Sequence, residues 1–453
     1  MLTLPLPESI IHICRRLADA GGHAWLVGGS VRDLLLGLTP KDFDLEVYGL
    51  DQQKLQRTLA ALGKTASVGQ QFAVIKLHLE QMEIDVALPR SETKHGNGHR
   101  GFTVEPDPHL TPEQATLRRD FTINAMMYDP LNGRLLDLHH GRRDLAQRIL
   151  RHVSPAFAED PLRPLRAMQF AARFDLRLHT DSTALCRQLH AEFHTLPVER
   201  IWHEWRKWSL SDTPSAGLRL LREIGWLSSF PELEALIGCE QNPHWHPEGD
   251  VWMHTLQVCD QAARIGAKLE AADRQLLLFA ALCHDLGKPI VSAPNADGVI
   301  SSPNHSQAGI DPTIALLHRI GAPAQLLKPL KPLILEHITH LHSQPTARAV
   351  RRLAHRLAPA HIEMWEHLVE ADASGRAPSP PSRPALPWLE EAQRQQHHRS
   401  RPTPILTGRM LIELGERAGP KLGAILARAY EAQLEGEISD ADAAIAWYHA
   451  NRS

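Results

Sequence analysis

The stretch of sequence that decides the fold of the N-terminal part is Trp25–Gly49, WLVGGSVRDLLLGLTPKDFDLEVYG. Short apolar runs alternate in it with a Gly-Gly turn and a polar loop, which is typical of a strand, a helix and a second strand in a mixed α/β domain. Because alternate residues of a strand share a face, Asp42 and Asp44 are predicted to lie side by side, with Glu46 as a further candidate on that face.

A carboxylate pair in this arrangement suits two-metal catalysis. Two divalent cations roughly 3.5–4 Å apart lower the pKa of an attacking hydroxyl and neutralise charge on a leaving pyrophosphate. We therefore predict two Mg²⁺ ions at Asp42 and Asp44, and we expect Asp85 in the run MEIDVALPR to add a third catalytic carboxylate from a neighbouring strand. The alternative for a DxD motif taken alone is an exposed strand face.

The glycine turn before the predicted helix is a candidate triphosphate site. Gly28 and Gly29 let backbone N–H groups approach phosphate oxygens, and the helix that begins near Ser30 adds a favourable dipole. Arg32 is expected to supply fixed positive charge. A Gly-Gly pair alone is usually only a turn, but its occurrence beside the carboxylate pair is far more specific, because each provides one half of nucleotide handling.

Apolar patterning divides the 453-residue chain into a mixed α/β head and several helical parts, and the predicted fold class is α+β. The predicted parts are the head (1–145), a helical neck and body (146–235), an all-α histidine-rich domain (236–376), a Pro/Ser-rich linker (377–403) and a short helical tail (404–453).

The composition excludes several classes of protein. Five cysteines without a CxxC pair argue against a disulfide framework and a thiolate zinc site. The sequence has no apolar run of about 18 residues and its first residues are typical of an amphipathic helix, so we expect a cytoplasmic protein that does not insert into a membrane. The net charge of −3 means that any RNA site must be a local patch. No obligate protein partner is evident.

Several segments resemble a known family. GGSVRD followed by DFDLEVYG resembles the DNA polymerase beta superfamily of nucleotidyltransferases, in its class II tRNA nucleotidyltransferase branch. Further motifs similar to that branch are RRDFTINA (118–125), EDPLRPLRAMQFAARF (159–174) and VERIWHEWRKW (198–208). The resemblance implies that Arg119, Asp120 and Asn124 help to hold the nucleotide. It also implies a flexible element at 90–101, which departs from many bacterial versions and leaves the identity of the last added nucleotide open.

Asp160 and Arg163 permit a physical account of nucleotide choice, since residues three apart are neighbours on one helix face. Cytosine and adenine both present an exocyclic amine beside a ring-nitrogen acceptor, so a carboxylate and a guanidinium would accept C or A and reject U or G. The resemblance assigns this role to the EDxxR motif, which stands here at 159–163. The alternative is that Asp160, which precedes a proline, only caps the helix.

An ordered set of histidines and aspartates predicts a second centre in the histidine-rich domain. Imidazole and carboxylate ligands without thiolates suit Ni²⁺, Mn²⁺, Fe²⁺, Co²⁺ or Zn²⁺, and metal-bound water could hydrolyse phosphate esters. The pattern resembles the HD phosphohydrolase superfamily. The resemblance implies a first ion at His254, His284, Asp285 and Asp372, and a second ion or the substrate phosphate at His305 and His337.

Together the motifs predict an enzyme that adds or repairs the 3′-terminal CCA of tRNA from CTP and ATP with release of pyrophosphate. The HD domain is expected to add phosphodiesterase and phosphatase activity. Within the same class the alternative is a poly(A) polymerase or an enzyme that adds only A, although relatives of the former typically lack an HD domain. The alternative from another class is an HD metal phosphohydrolase whose head only binds RNA.

Overall fold

The computed structural model describes residues 2–68, 74–79, 82–94, 102–107, 109–378, 380 and 382–452. The chain divides into two compact units. The first is Met1–Glu204 with Ala216–Ser229, and the second is Trp205–Ser215 with Phe230–Ser453. Of the predicted flexible element at 90–101, residues 95–101 lie outside the described residues.

The first unit is built on a mixed sheet. Its strands are β1 (His23–Val27), β2 (Phe43–Tyr48), β3 (Lys64–Val68), β4 (Val74–Leu79), β5 (Met82–Ala87), β6 (Arg90–Lys94), β7 (Phe102–Pro106), β8 (Met127–Asp129), β9 (Arg134–Leu136), β10 (Ile149–Leu150) and β11 (Arg177–Leu178). Over the described residues, seven of them form one sheet in the order β3-β4-β5-β2-β1-β8-β9, while β6 pairs with β7 and β10 with β11. Within the seven-stranded sheet β2 and β5 run parallel, and the other neighbouring strands are antiparallel.

The helices that begin before residue 230 are α1 (Glu8–Asp19), α2 (Gly29–Leu35), α3 (Gln52–Ala60), α4 (Pro112–Thr116), α5 (Gly141–Ala146), α6 (Arg163–Phe174), α7 (Thr180–Gln188), α8 (Val198–Trp208) and α9 (Pro214–Glu223). Local sequence explains their starts. Asp51 caps α3 by accepting a hydrogen bond from the backbone N–H of Lys54 at 2.8 Å. Thr111 and Gln114 form a capping box at the start of α4.

The second unit is mainly helical. Its helices are α10 (Pro231–Glu234), α11 (Val251–Ile265), α12 (Ala271–Cys283), α13 (Lys288–Val291), α14 (His305–Ala308), α15 (Ile310–Arg319), α16 (Ala324–Glu336), α17 (Thr339–His342), α18 (Ala347–Leu357), α19 (Ile362–Ser374), α20 (Leu386–Arg394), α21 (Gly408–Glu413), α22 (Pro420–Glu435) and α23 (Ala441–Asn451). A small hairpin of β12 (Ala293–Pro294) and β13 (Ile300–Ser301) interrupts them.

Helix α12 is the centre of the second unit. Every residue from 276 to 283 is buried, and α11, α16 and α19 pack against this helix. A helix that is apolar on all sides is expected in the interior of a domain. The helices α21, α22 and α23 have a hydrophobic cluster of their own, which includes Leu411, Ile425 and Tyr448.

The α+β fold class is confirmed. None of the helices in the described part of the chain combines the length and apolar character that crossing a membrane requires. The prediction of a linker over 377–403 is corrected by helix α20, which begins at Leu386 after a run rich in proline. Trp388, Leu389 and Ala392 of this helix are buried, and burial of apolar side chains stabilises a segment that its composition alone would leave extended.

Replacing Trp388 by alanine tests whether α20 belongs to the folded domain. The Trp388 ring lies edge-on to the Trp365 ring at 5.7 Å, and its side chain is 2% exposed. We expect Trp388→Ala to lower the free energy of unfolding by about 3 kcal/mol or more, the usual cost of removing a buried tryptophan. The measurement is urea unfolding, with Glu390→Ala, an exposed position of the same helix, as the control. Equal stability of the two variants would restore the linker interpretation.

Candidate functional sites

The carboxylate site of the head follows from strand pairing. Asp44 on β2 lies directly opposite Asp85 on β5 in the parallel pair, and Val27 at the end of β1 faces Asp44 from the other side. Asp42 is exposed and lies one residue before β2, so it is not part of the strand as predicted. Burial raises the pKa of Asp44 to about 6, with Arg119 opposing the shift and Asp85 and Asp42 adding to it. Carboxylates gathered in this way fit divalent cations, which would relieve their repulsion.

The glycine turn lies beside these carboxylates. Gly28 has a φ of 69°, a conformation that favours glycine. A methyl group added to Gly28 would lie 3.2 Å from Arg119 Nη1 and 3.7 Å from Asp44 Oδ2. The turn, Asp44 and Arg119 therefore share one small region, and the N-terminus of α2 begins there at Gly29.

Glu46, a further candidate for the carboxylate face, is engaged by protein groups instead. Its buried side chain accepts hydrogen bonds from Tyr48 Oη, from Arg119 Nη2 at 3.1 Å and from Arg118 Nη2 at 3.4 Å. A carboxylate engaged by two guanidinium groups is already neutralised, so it does not need a metal ion. Glu46 instead fixes the orientation of Arg119 next to Gly28.

Three of the predicted nucleotide-binding residues form one buried network. Arg32 Nη1 donates to Asn124 Oδ1 at 2.6 Å, and Asn124 Nδ2 donates to Asp120 Oδ1 at 3.1 Å. Asp120 Oδ2 accepts from Arg166 Nη2 at 2.6 Å. Burial opposes the charged form of Asp120, yet Arg166 and Asn124 hold its pKa at about 2. The Arg32 guanidinium also lies 4.5 Å from the centre of the Phe174 ring. These contacts join α2 to α6, and they involve protein groups only.

Asp160 and Arg163 do not share a helix face, because α6 begins at Arg163 and Asp160 has an extended backbone. Asp160 Oδ1 accepts from the backbone N–H two residues later at 3.0 Å, and Oδ2 accepts from Arg200 Nη2 at 2.8 Å. Arg163 donates to the carbonyl oxygens of Ala156 at 2.9 Å and Arg118 at 2.6 Å. The turn-stabilising contact of Asp160 is therefore present, although this residue is not the N-cap.

The histidine-rich domain holds four buried histidines whose rings are oriented in the same way. Each has Nδ1 within hydrogen-bonding distance of a protein oxygen, so Nε2 is the nitrogen left to bind a ligand. The partners are Glu248 Oε1 for His254 (2.7 Å) and the carbonyl oxygens of Ala281 for His284 (2.8 Å), Ser302 for His305 (2.8 Å) and Ile334 for His337 (2.7 Å).

The Nε2 atoms converge on two aspartates. Nε2 of His254 lies 3.1 Å from Asp372 Oδ1, and Nε2 of His284 lies 3.1 Å from Asp285 Oδ2. Nε2 of His305 lies 3.5 Å from Asp285 Oδ1. The resulting groups are His254 with His284 and Asp372, and Asp285 with His305 and His337, and the ligand atoms within each group lie within 4.8 Å of one another.

Protonation and hydrogen bonding both fit divalent metal ions at these groups. Burial and the neighbouring His305 lower the pKa of His337 to about 3, which leaves its imidazole neutral with a free lone pair. Burial opposes ionisation of Asp285, but His284 and Lys288 hold its pKa well below the usual range. Oδ1 of Asp285 has no hydrogen-bond partner within the described part of the chain, while Oδ2 lies 2.7 Å from Lys288 Nζ. Buried carboxylates beside buried imidazoles are characteristic of metal sites.

Three residues of this centre were missed by the sequence reasoning. Lys288 Nζ lies 2.7 Å from Asp285 Oδ2, and Arg376 Nη2 lies 3.1 Å from Asp372 Oδ1. Their spacings of three and four residues from the aspartates were available signals for such pairs. Glu248 precedes α11 in an irregular loop, and no periodicity could have identified it.

Models of known protein families match the head and part of the histidine-rich domain. Residues 24–151 match the model of the poly A polymerase head domain, 175–237 that of the "Probable RNA and SrmB- binding site of polymerase A", and 251–311 that of the HD domain. The multifunctional CCA protein of Xanthomonas campestris is 40% identical over 384 residues, which cover 82% of this chain and 89% of that relative. The multifunctional CCA protein of Stenotrophomonas maltophilia is 40% identical over 78% of this chain and 86% of its own length.

Solved structures share the fold. The Bacillus stearothermophilus CCA-adding enzyme in complex with CTP has a TM-score of 0.66 at 21% identity and covers 98% of this chain and 97% of its own. The Thermotoga maritima CCA-adding enzyme complexed with tRNA has a TM-score of 0.61 at 18% identity, over 99% and 97%.

Metal content tests the histidine–aspartate centre. Replacing His284 and Asp285 together by alanine should remove ligands from both groups and reduce bound transition metal to background, measured by mass spectrometry after metal loading and gel filtration. Glu248→Ala should weaken metal affinity by about tenfold or more, because the residue orients His254. His244→Ala, an exposed histidine of the preceding loop, is the control and should keep the wild-type metal content. A full complement of metal in the double variant would show that the cluster is structural.

Proposed function

This chain belongs to the family of the multifunctional CCA proteins, nucleotidyltransferases that carry an HD domain, and on that premise we propose which residues perform its reactions. It adds or repairs the 3′-terminal CCA of tRNA from CTP and ATP and releases pyrophosphate. The observation that carries the proposal is the pairing of Asp44 with Asp85 beside the Gly28 turn. The pairing of β2 with β5 and with β1 brings together the carboxylates and the phosphate-binding turn that the reaction requires.

In the addition reaction the terminal hydroxyl oxygen of the RNA forms a bond to the α-phosphorus, and the bond from that phosphorus to the bridging oxygen of pyrophosphate breaks. Asp42, Asp44 and Asp85 would hold two Mg²⁺ ions. When bound, such ions supply the charge that activates the hydroxyl and stabilises the leaving group. Arg119, oriented by Glu46, would neutralise the triphosphate next to the backbone N–H groups at Gly28.

Base selection is assigned to Asp160 and Arg163. The carboxylate would accept from the exocyclic amine of C or A, and the guanidinium would donate to the ring nitrogen. Both side chains are held by protein partners, Asp160 by Arg200 and Arg163 by two carbonyl oxygens. An incoming base would exchange part of these contacts, so a base that offers the wrong order of donor and acceptor would leave buried polar groups without a partner.

The HD centre is proposed to hydrolyse phosphodiesters and phosphomonoesters. His254, His284, Asp285 and Asp372 would hold one transition ion, and His305 and His337 with Asp285 would hold a second. Bound Ni²⁺, Mn²⁺, Co²⁺, Fe²⁺ or Zn²⁺ would supply an activated water for attack on phosphorus. Lys288 and Arg376 bring positive charge to the same place. Poly(A) or A-only addition is the second candidate for the head, and nucleotide incorporation distinguishes it from CCA addition.

Nucleotide incorporation tests the head site. Purified protein is incubated with tRNA that lacks its last three nucleotides and with each labelled nucleotide. We expect incorporation from CTP and ATP, and Asp44→Asn or Asp85→Asn should reduce the rate by about 100-fold or more while tRNA affinity is kept. Glu83→Gln, an exposed carboxylate on the same strand as Asp85, is the matched control. Near-normal turnover of either aspartate variant would contradict the assignment, and incorporation from ATP alone would favour the second candidate.

Asp160→Asn separates base selection from local stabilisation. Asparagine keeps an oxygen for the turn contact but replaces the carboxylate with an amide, which can donate to the wrong base. We expect unfolding stability to stay within about 0.5 kcal/mol of wild type, while discrimination against UTP and GTP falls; Arg163→Ala should also relax discrimination. The measurement is competition between labelled nucleotides. Lower stability with unchanged nucleotide preference would instead assign Asp160 a purely structural role.

A further inference from the structure

Two large apolar side chains are exposed at the mouth of the HD centre. Trp245 is 61% exposed and Leu341 is 65% exposed. Both line a cleft of about 530 Å³ whose walls also include Asp285 and His337. Large apolar side chains that stay exposed next to a polar site commonly mark a ligand surface.

The indole of Trp245 is presented by an ordered turn. The backbone N–H groups of Trp245 and His246 donate to the carbonyl oxygen of Asn242 at 3.1 Å and 2.9 Å. Asn242 Oδ1 accepts from the N–H of His244 at 2.9 Å, and the His244 ring lies edge-on to the indole at 4.7 Å. These contacts define the position of the turn that carries the tryptophan at the edge of the cleft.

The same turn is joined to the metal-binding residues. His246 Nδ1 lies 2.8 Å from Glu248 Oε1, which in turn lies 2.7 Å from His254 Nδ1. The rings of His246 and His254 are 4.8 Å apart. His246 thus joins the turn that carries Trp245 to Glu248, a side chain in contact with the predicted metal ligand His254.

The two ends of the cleft differ in chemistry. Its inner end has the cations Lys288 and Arg376, and Arg376 Nε is buried without a hydrogen-bond partner among the described residues. These groups complement a phosphate. The outer end has the flat indole of Trp245 and the side chains of Leu341 and Val299. A ligand with a phosphate at one end and a planar apolar group at the other matches both.

We propose that Trp245 is a base-stacking platform that makes the HD centre selective for phosphoesters of nucleosides over phosphoesters without an aromatic group. The inference rests on the proposed hydrolase function of this centre. Stacking on an aromatic side chain accepts any base, because every base has a π face. Selectivity therefore lies in the presence of a base at the right distance from the phosphate, and Leu341 adds apolar surface to the same cleft.

The first test compares two substrates of the metal-loaded full chain, adenosine 2′-monophosphate and glycerol 2-phosphate. Wild type should have a higher kcat/KM for the nucleotide. Trp245→Ala should raise KM for the nucleotide by about tenfold, in line with the loss of one stacking contact, while kcat and the kinetics with glycerol 2-phosphate stay unchanged. Trp245→Phe should recover most of the affinity. Ile412→Ala, which removes an apolar side chain 54% exposed on α21, is the control.

A second measurement does not depend on turnover. Photolysis of 8-azidoadenosine 2′-monophosphate with the full chain should label the peptide that contains Trp245, and excess adenosine 2′-monophosphate should prevent the labelling. The stacking role of Trp245 would be wrong if wild type had the same kcat/KM for both esters, or if Trp245→Ala lowered kcat/KM equally for both. Either result would leave the hydrolase function intact. Failure of wild type to hydrolyse either ester would overturn the hydrolase function and the platform together.

Discussion

The parallel pairing of β2 with β5 is the constraint on which the head site depends. Paired residues of neighbouring strands point to the same face of the sheet, so Asp44 and Asp85 lie side by side as long as this register is kept. A shift of one strand by one residue would turn its carboxylate toward the opposite face, away from the other carboxylate, and would bring apolar residues of that strand to the surface. Antiparallel pairing of β1 with β2 then places Val27, and with it the Gly28 turn, next to Asp44. One sheet register thus positions both the acidic and the phosphate-binding halves of the site.

The HD centre achieves similar order by another route. His284, His305 and His337 each have Nδ1 near the carbonyl oxygen three residues earlier, so the direction of each ring is set within its own turn of chain. The apolar helix α12 ends at Cys283, and His284 and Asp285 follow at its buried C-terminus. Local contacts therefore aim the Nε2 atoms, and the packing of α11, α16 and α19 on α12 brings them together. The loop before α11 adds to this order through Glu248, which contacts His254.

Sequence reasoning identified the features that depend on short spacing. The strand that contains Asp44, the Gly28 turn and the grouping of His254, His284 and Asp372 all follow from periodicity or from a family motif. It could not identify Asn124 as a partner of Arg32, because Asn124 lies 92 positions away and only tertiary packing brings the two together. Helix α20 was read as a linker for a related reason, since burial against other helices outweighs a composition rich in proline and serine. Trp205 and Trp208 of α8 are fully buried, so they belong to the core.

Asp120 and Asn124 of the family motif at 118–125 have a structural role besides any contact with a nucleotide. Through hydrogen bonds they link Arg32 to Arg166. Arg32 belongs to the helix after the Gly28 turn, and Arg166 belongs to α6, which begins at Arg163 of the proposed base-selecting pair. Asp120 is charged, buried and paired with Arg166, so loss of that contact would leave ionised groups without compensation at a cost of several kcal/mol. The two halves of nucleotide handling are consequently held by one electrostatic link. If α6 moves relative to the Gly28 turn, the network must either move as a unit or lose buried, charge-assisted hydrogen bonds. Movement as a unit costs less free energy, because no hydrogen bond is lost.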